Sequence, residues 1–336
     1  MTSASVPAAA AARRPAGRGY GFVAGLVAVA AIGSALPLLV GSALFLTLMT
    51  QAAINAILAT GVGFLVRQNG SVSFGHAAFF GIAAYVVALT LKHAVMPAEL
   101  AAIIAILLPT VLAFALGLVI VRIVGVAFSM LTLAVAQALY ELLLKWRELA
   151  NGDDGMAIAF PARVFGVDMA TFQQPHSMFL ICWLILMAVI LGLWLLARSR
   201  FGTLTLAIRE NEERARFIGY TTVVPRALIY AVSAAVAALG GLLFVLYNGF
   251  VSPGTLHWSL SGEALIMAII GGPRLVWGPA LGAVIFFFIK NAAGDFTDHW
   301  PAVIGTVLIL VTVLMPRGVG GMLVRLAGRV GGRRSS

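Results

Sequence analysis

The chain has 336 residues, 61% of them hydrophobic and 10% charged, with a formal net charge of +10. Soluble domains carry about 25% charged residues, so a water-solvated globule of this composition is excluded. The basic excess raises the question of nucleic acid, and the placement of the cations answers it below.

Two long stretches, Phe22 to Val66 and Ser177 to Ala197, contain no charged side chain. A membrane-spanning helix takes about 20 apolar residues. Within lipid only helices and closed barrels satisfy every backbone amide, and continuous rather than alternating apolar runs select helices. The expected fold class is all-α: a polytopic transmembrane helical bundle of about 8–10 segments, short or broken ones included.

In chain order the apolar segments are 21–40, 43–66, 76–92, 98–121, 123–145, 177–197, 227–250, 261–272, 278–291 and 301–315. Residues 1–20 form a cytoplasmic N-terminal tail, 21–316 the transmembrane domain, and 317–336 a basic cytoplasmic tail expected to be mobile. The first apolar run is too long for a cleaved signal sequence and reads as a retained span. Segments 261–272 and 278–291 are short for full spans.

With the N-terminus inside, 17 of the 22 cations fall on the cytoplasmic side. Lys92, Lys145, Arg147, Arg163 and Lys290 fall outside, together with acids such as Glu99, Glu148, Asp153, Asp154, Asp168 and Asp298. This asymmetry is the positive-inside pattern. It places both termini in the cytoplasm, requires an even number of crossings, and explains the basic excess without nucleic acid.

Two loops stand out. The external loop 146–176 carries Asn151-Gly152-Asp153-Asp154-Gly155, which is turn chemistry. The cytoplasmic loop 198–226 predicts one helix from Thr203 to Ile218, stopped by Gly219 as a C′ residue. Arg209–Glu213, Glu210–Arg214 and Glu212–Arg216 are opposite charges at i,i+4, each pair contributing about 0.2–0.5 kcal/mol in an isolated helix. Leu204, Ala207, Ile208, Ala215 and Ile218 supply apolar or small contact surface. Two readings are open: a solvated helix, or a docking helix for a cytoplasmic partner.

Residues 71–81 are small, polar and glycine-rich between apolar spans, which suits irregular backbone lining a cavity. Ser71, Ser73, Phe74, Gly75 and His76 are therefore candidate pathway residues, with free amides at the following helix start facing a solute carboxylate. A tight interhelical turn is the other reading. His76 reads first as a hydrogen-bond partner at the helix start, and second as a proton relay or ligand. Glu141 pairs with Lys145 at i,i+4. Glu263 has no local partner, which makes it the better pathway candidate. Gln51, Asn55 and Gln137 suit interhelical hydrogen bonds. Gly271 and Gly272 end one half-span, and Gly278-Pro279 starts another with proline at the helix start; a broken pair beside a pore fits this pattern.

The lone Cys182 excludes an intrachain disulfide and a zinc site made of cysteine pairs. No phosphate loop, nucleophile–base set or metal-ligand cluster occurs in the sequence. No enzymatic role, resident cofactor or metal is expected.

Several segments, in order, resemble branched-chain amino acid ABC transporter permeases of the LivM type. They are Gly70 to Gly81, Phe128 to Ala134, Ala207 to Glu212, Gly249-Phe250-Val251-Ser252-Pro253, Gly271-Gly272 with Trp277-Gly278-Pro279, and Pro316-Arg317-Gly318. The stretch Glu213-Arg214-Ala215-Arg216-Phe217-Ile218-Gly219 is similar to the Glu-Ala-Ala-x-x-x-Gly coupling motif of ABC importers, with Arg214 at its second position. The chain departs from the pattern at Asn151–Gly155, where relatives usually start Thr-Gly-Gly, and at Gly272–Val276. The resemblance implies a permease subunit in the cytoplasmic (inner) membrane of a bacterium. Its implied partners are a second homologous permease, two cytoplasmic ATPases that hydrolyse the ATP, and an external or periplasmic solute-binding protein. Its implied solute is a branched-chain amino acid, urea, an amide or an aromatic acid. It assigns ATPase coupling to Arg209, Glu210, Asn211, Glu213, Ala215 and Gly219. The rival expectation is an ion-coupled secondary transporter, which calls for mid-membrane carboxylates that this chain nearly lacks.

Overall fold

The computed structural model describes residues 17–39, 41–93, 96–296 and 299–332. The expected cytoplasmic positions of Arg13, Arg14, Arg333 and Arg334, and the external one of Asp298, lie outside the described residues.

The helices are α1 (Gly17–Leu39), α2 (Ala43–Asn69), α3 (His76–Lys92), α4 (Ala98–Ile120), α5 (Val126–Lys145), α6 (Arg147–Ala150), α7 (Met169–Gln173), α8 (Pro175–Arg198), α9 (Arg200–Glu210), α10 (Glu212–Phe217), α11 (Val223–Asn248), α12 (Trp258–Gly271), α13 (Gly278–Phe296), α14 (Trp300–Leu314) and α15 (Gly318–Gly332). Seven of them, α1, α2, α4, α5, α8, α11 and α13, are long and apolar enough to cross a membrane. The pair α14 and α15, bent by 42° at the 315–317 break, makes an eighth if it is taken as one span, and α3 and α12 are shorter apolar helices. The bundle is the expected one, with a correction at 278–291. That segment runs on to Phe296 and is a full 19-residue helix.

α2 and α11 form the centre. More than half of their apolar windows are buried, against a third or less in the other five long helices. Small residues allow the approach: a side chain on Gly61 would press on the Ser233 carbonyl, and one on Gly241 would overlap the Phe80 backbone of α3. Amides pin both ends of this antiparallel pair. Gln51 Nε2 donates to Asn248 Oδ1 at 3.0 Å, and Asn69 Nδ2 donates to the Arg226 carbonyl at 2.9 Å. Gln51 thus makes the expected interhelical bond. Asn55 and Gln137 instead bond within their own helices, to the Gln51 carbonyl and to Glu141. Ser42 caps the start of α2, and Gly70 and Gly249 end α2 and α11 in the left-handed region that favours glycine. α1 lies on α8, where Phe22 stacks on Trp194 and Trp183 Nε1 donates to the Ala30 carbonyl.

The loop 146–176, expected to be external, is ordered by strand pairing. β1 (Met156–Ala157) pairs antiparallel with β4 (Phe250–Val251), so the loop is tied to the turn after α11. β2 (Arg163–Val164) and β3 (Val167–Asp168) form a second small ribbon. The expected turn is present: Asn151 is left-handed and its Nδ2 donates to the Gly155 carbonyl at 2.8 Å.

The basic tail is also corrected. Residues 318–332 are helical, and α15 packs against α12, α13 and α14. Glycines permit this seat, because Gly318 meets the backbone of Gly272 directly.

A methyl group placed between α11 and α3 overpacks the centre, which costs about 1–3 kcal/mol. Gly241→Ala is therefore expected to lower the melting temperature of the detergent-solubilised protein by several degrees. Gly192→Ala, which meets nothing within 4 Å, is expected to leave it unchanged or raise it.

Candidate functional site

The loop 198–226, expected on the cytoplasmic side, is a two-helix element. Ser199 starts α9 by accepting a hydrogen bond from the Gly202 amide at 3.1 Å. The expected single helix 203–218 breaks at Asn211, whose backbone is extended and whose side chain caps α10 by accepting from the Arg214 amide at 2.8 Å. An asparagine oxygen competes for backbone amides and favours a cap over a helix interior. The break rotates α10 out of phase with α9. Only Glu212–Arg216 of the three expected ion pairs is observed among the described residues, at 2.6 Å. Gly219, with φ +89°, terminates α10 as expected.

Glu212 is the hub of this element. Its Oε1 accepts from Arg216 Nη2 (2.6 Å) and from the Thr222 hydroxyl (2.8 Å), and its Oε2 accepts from Arg226 Nη1 at 2.9 Å. Arg226 is buried at the root of α11. Burial raises the Glu212 pKa, but Thr222, Arg226 and Arg216 outweigh it and hold the carboxyl below its ordinary range. α9 is tied to α2 in parallel: Thr205 Oγ1 donates to Gln68 Oε1 at 3.3 Å, and Arg209 Nη1 donates to the Arg67 carbonyl at 2.6 Å. The loop is therefore bonded to both central helices. Of the expected contact surface, Ile208 and Ala215 are buried and are corrected, Leu204 is half-buried, and Ala207 and Ile218 are exposed; Phe217 and Tyr220 are exposed apolar side chains beside Ile218. Glu210, Asn211, Glu213 and Gly219 are exposed beside them.

Residues 71–81 form a packed joint. Ser71 and Ser73 are buried and His76 is fully enclosed. The Ser233 hydroxyl donates to the Gly61 carbonyl (2.7 Å), so it accepts from His76 Nε2 at 2.6 Å. His76 Nδ1 is then left to accept from the Ser73 hydroxyl at 3.1 Å. A neutral ring thus links α2, α3 and α11, in keeping with the helix-start reading. The amides expected to be free are occupied: Phe74 N–H donates to Thr132 Oγ1, Gly75 N–H to Ser73 Oγ and Ala77 N–H to Ser261 Oγ. Buried donors take partners wherever side chains supply them.

Glu263 has no partner on its own helix, as expected, and is paired across elements instead. Lys290, 27 residues further on, donates to its Oε1 at 2.7 Å. The ammonium also sits 4.5 Å from the centre of the Trp300 ring. The pair lies in a cleft of about 270 Å³ between α2, α3, α11, α12 and α13, walled by Ile54, Phe80, Phe244 and Phe286. Gly271 and Gly272 are buried in a backbone junction with Gly278, Gly282 and Gly318, where any side chain would overlap a neighbouring backbone. In this structure the break is the seat of α15 and is closed.

Residues 44–314, from α2 to the end of α14, match the family described as branched-chain amino acid transport system / permease component. The chain belongs to this family. Its members are transport permeases rather than enzymes. This permease is 25% identical over 314 residues to the high-affinity branched-chain amino acid transport system permease protein LivM of Salmonella typhimurium, covering 88% of this chain and 74% of that one. The same figures hold for LivM of Escherichia coli. It is 26% identical over 171 residues to LivH of Salmonella typhimurium, covering 50% of this chain and 53% of the relative. No solved structure matches it.

Three side chains of these clusters are not singled out by sequence reasoning: Glu212 as a hub, Arg226 and Lys290. Glu212 was visible only as the partner of Arg216, because its bonds to Thr222 and Arg226 depend on the chain folding back after Gly219. The Glu212 hub is complete above the ordinary glutamate pKa of about 4.3 and is lost as pH falls through the lower folded value. Acidification through that range is expected to lower the melting temperature of the wild type more than that of Glu212→Gln, which itself melts several degrees lower at pH 7. Parallel curves for the two proteins would rule out a charged hub.

Proposed function

We propose that this chain is one of two paired membrane subunits of an ABC importer for branched-chain amino acids or related small polar solutes, in a bacterial inner membrane with both termini cytoplasmic. A second homologous permease completes the passage. Two ATPases dock on α9 and α10 and consume ATP, this chain binding none, and an external solute-binding protein delivers the solute to the face bearing 146–176. The LivM relatives are named for high-affinity branched-chain amino acid transport, which supports the solute class.

The observation that carries the coupling role is the Glu212 hub together with the apolar tip beside it. Phe217 is 90% exposed and Ile218 69%, on an element of charged and polar residues outside the spans, which suits a surface covered by a partner protein. Closure of the ATPases moves α10. Glu212 and Arg226 pass that movement to α11, and Arg209 passes it to α2, so the pair at the centre of the bundle shifts against its neighbours. Ion pairs with a buried partner transmit such a push because separating them leaves the buried charge without its partner.

Purification of the tagged protein from native membranes in mild detergent is expected to bring down an ATPase and a second permease. Phe217→Asp/Ile218→Asp is expected to reduce ATPase recovery at least tenfold. Glu212→Gln is expected to retain the ATPase but to cut solute uptake per ATP hydrolysed severalfold. A wild type that carries no ATPase through the purification would end the importer reading and turn attention to ion coupling.

A further inference from the structure

We propose that the cleft holding Glu263 and Lys290 is a transient subsite for a zwitterionic amino acid, whose ammonium is taken by Glu263 and whose carboxylate is taken by Lys290. The inference rests on the importer reading and deepens it by assigning the solute's charged groups to two side chains.

The two charges are 2.7 Å apart, on facing helices, in a cleft of about 270 Å³ whose lining is mostly apolar. Their side chains are 22% and 33% exposed, so both remain open to a solute. An isolated charge among apolar helices is costly, and each member here neutralises the other. The empty cleft therefore carries no net charge. A zwitterion brings one charge of each sign. Inserted between the pair, it exchanges one charge-assisted bond for two and leaves the cleft neutral. A cation or an anion alone would leave Lys290 or Glu263 without a partner, and that penalty is the basis of selection.

The surroundings fit the rest of such a solute. Ile54, Phe80 and Phe244 offer an apolar wall to an aliphatic side chain, and Thr255 and Ser252 close the far side with hydroxyls. Trp300 already holds the Lys290 ammonium over its ring at 4.5 Å. This gives the lysine a second resting place when the ion pair opens, by cation–π attraction. The subsite also lies beneath the turn that β1 clamps through β4, so it stands next to the expected delivery face. A purely structural clasp between α12 and α13 would need none of this: not the cleft, the aliphatic wall or the exposure.

The test uses the complete transporter reconstituted in proteoliposomes. The native Cys182 is buried, so a Leu260→Cys variant that retains uptake reports on the cleft through its rate of maleimide labelling. Leucine is expected to slow labelling at least fivefold. Leucinamide, which lacks the carboxylate, and 4-methylpentanoate, which lacks the ammonium, are expected not to slow it. Protection by leucine is expected to vanish with Lys290→Gln. The exchange Glu263→Lys/Lys290→Glu is expected to keep the melting temperature but not the uptake rate. Equal protection by all three compounds, no protection by leucine in liposomes that do transport it, or full uptake by the exchanged pair would each overturn the proposal and leave the importer reading standing. Liposomes that hydrolyse ATP but transport no amino acid would overturn both.

Discussion

Every backbone amide inside a bilayer must find a partner within the protein, because hydrocarbon offers none. The architecture follows from how this chain meets that demand where its helices are broken. Residues 70–75 interrupt the passage from α2 to α3, and Thr132, Ser73 and Ser261 receive the amides released there. The break after α12 is met differently, by glycines that bring backbones into contact and let α15 close over Gly271 and Gly272. Both devices need small residues and hydroxyls at particular depths, which accounts for the polar, glycine-rich character of segments that would otherwise resemble ordinary loops.

The same constraint shapes the centre of the bundle. α2 and α11 approach closely, are pinned by amides at both ends, and are bridged midway by His76 through Ser233. The element at 198–226 is bonded to the same two helices, α9 to α2 and α10 to α11. A handful of named bonds therefore joins it to the most buried part of the bundle.

Charge is handled by pairing across elements. Glu212 with Arg226, and Glu263 with Lys290, join residues 14 and 27 positions apart. Each pair keeps a charge at the margin of an apolar region without a net charge there. The two differ in access. Arg226 is buried, whereas both members of the Glu263 pair remain partly exposed beside a cleft.

Apolar length, charge asymmetry and glycine placement depend on local sequence alone, so the ten helical segments, the turn at Asn151 and the stop at Gly219 are legible in the amino-acid sequence by itself. The pairing of Glu141 with Lys145 is legible for the same reason, since both lie on one helix. Partners brought together by folding back are not: Lys290 for Glu263, Arg226 for Glu212, and Thr132 and Ser261 for amides that looked free. The helix break at Asn211 stands between the two: an asparagine can cap from its local sequence, and the bonds of α9 to α2 and of α10 to α11 accompany the break there. Hydrophobicity along a chain decides which segments enter a membrane; the contacts between those segments decide which polar groups remain available for work.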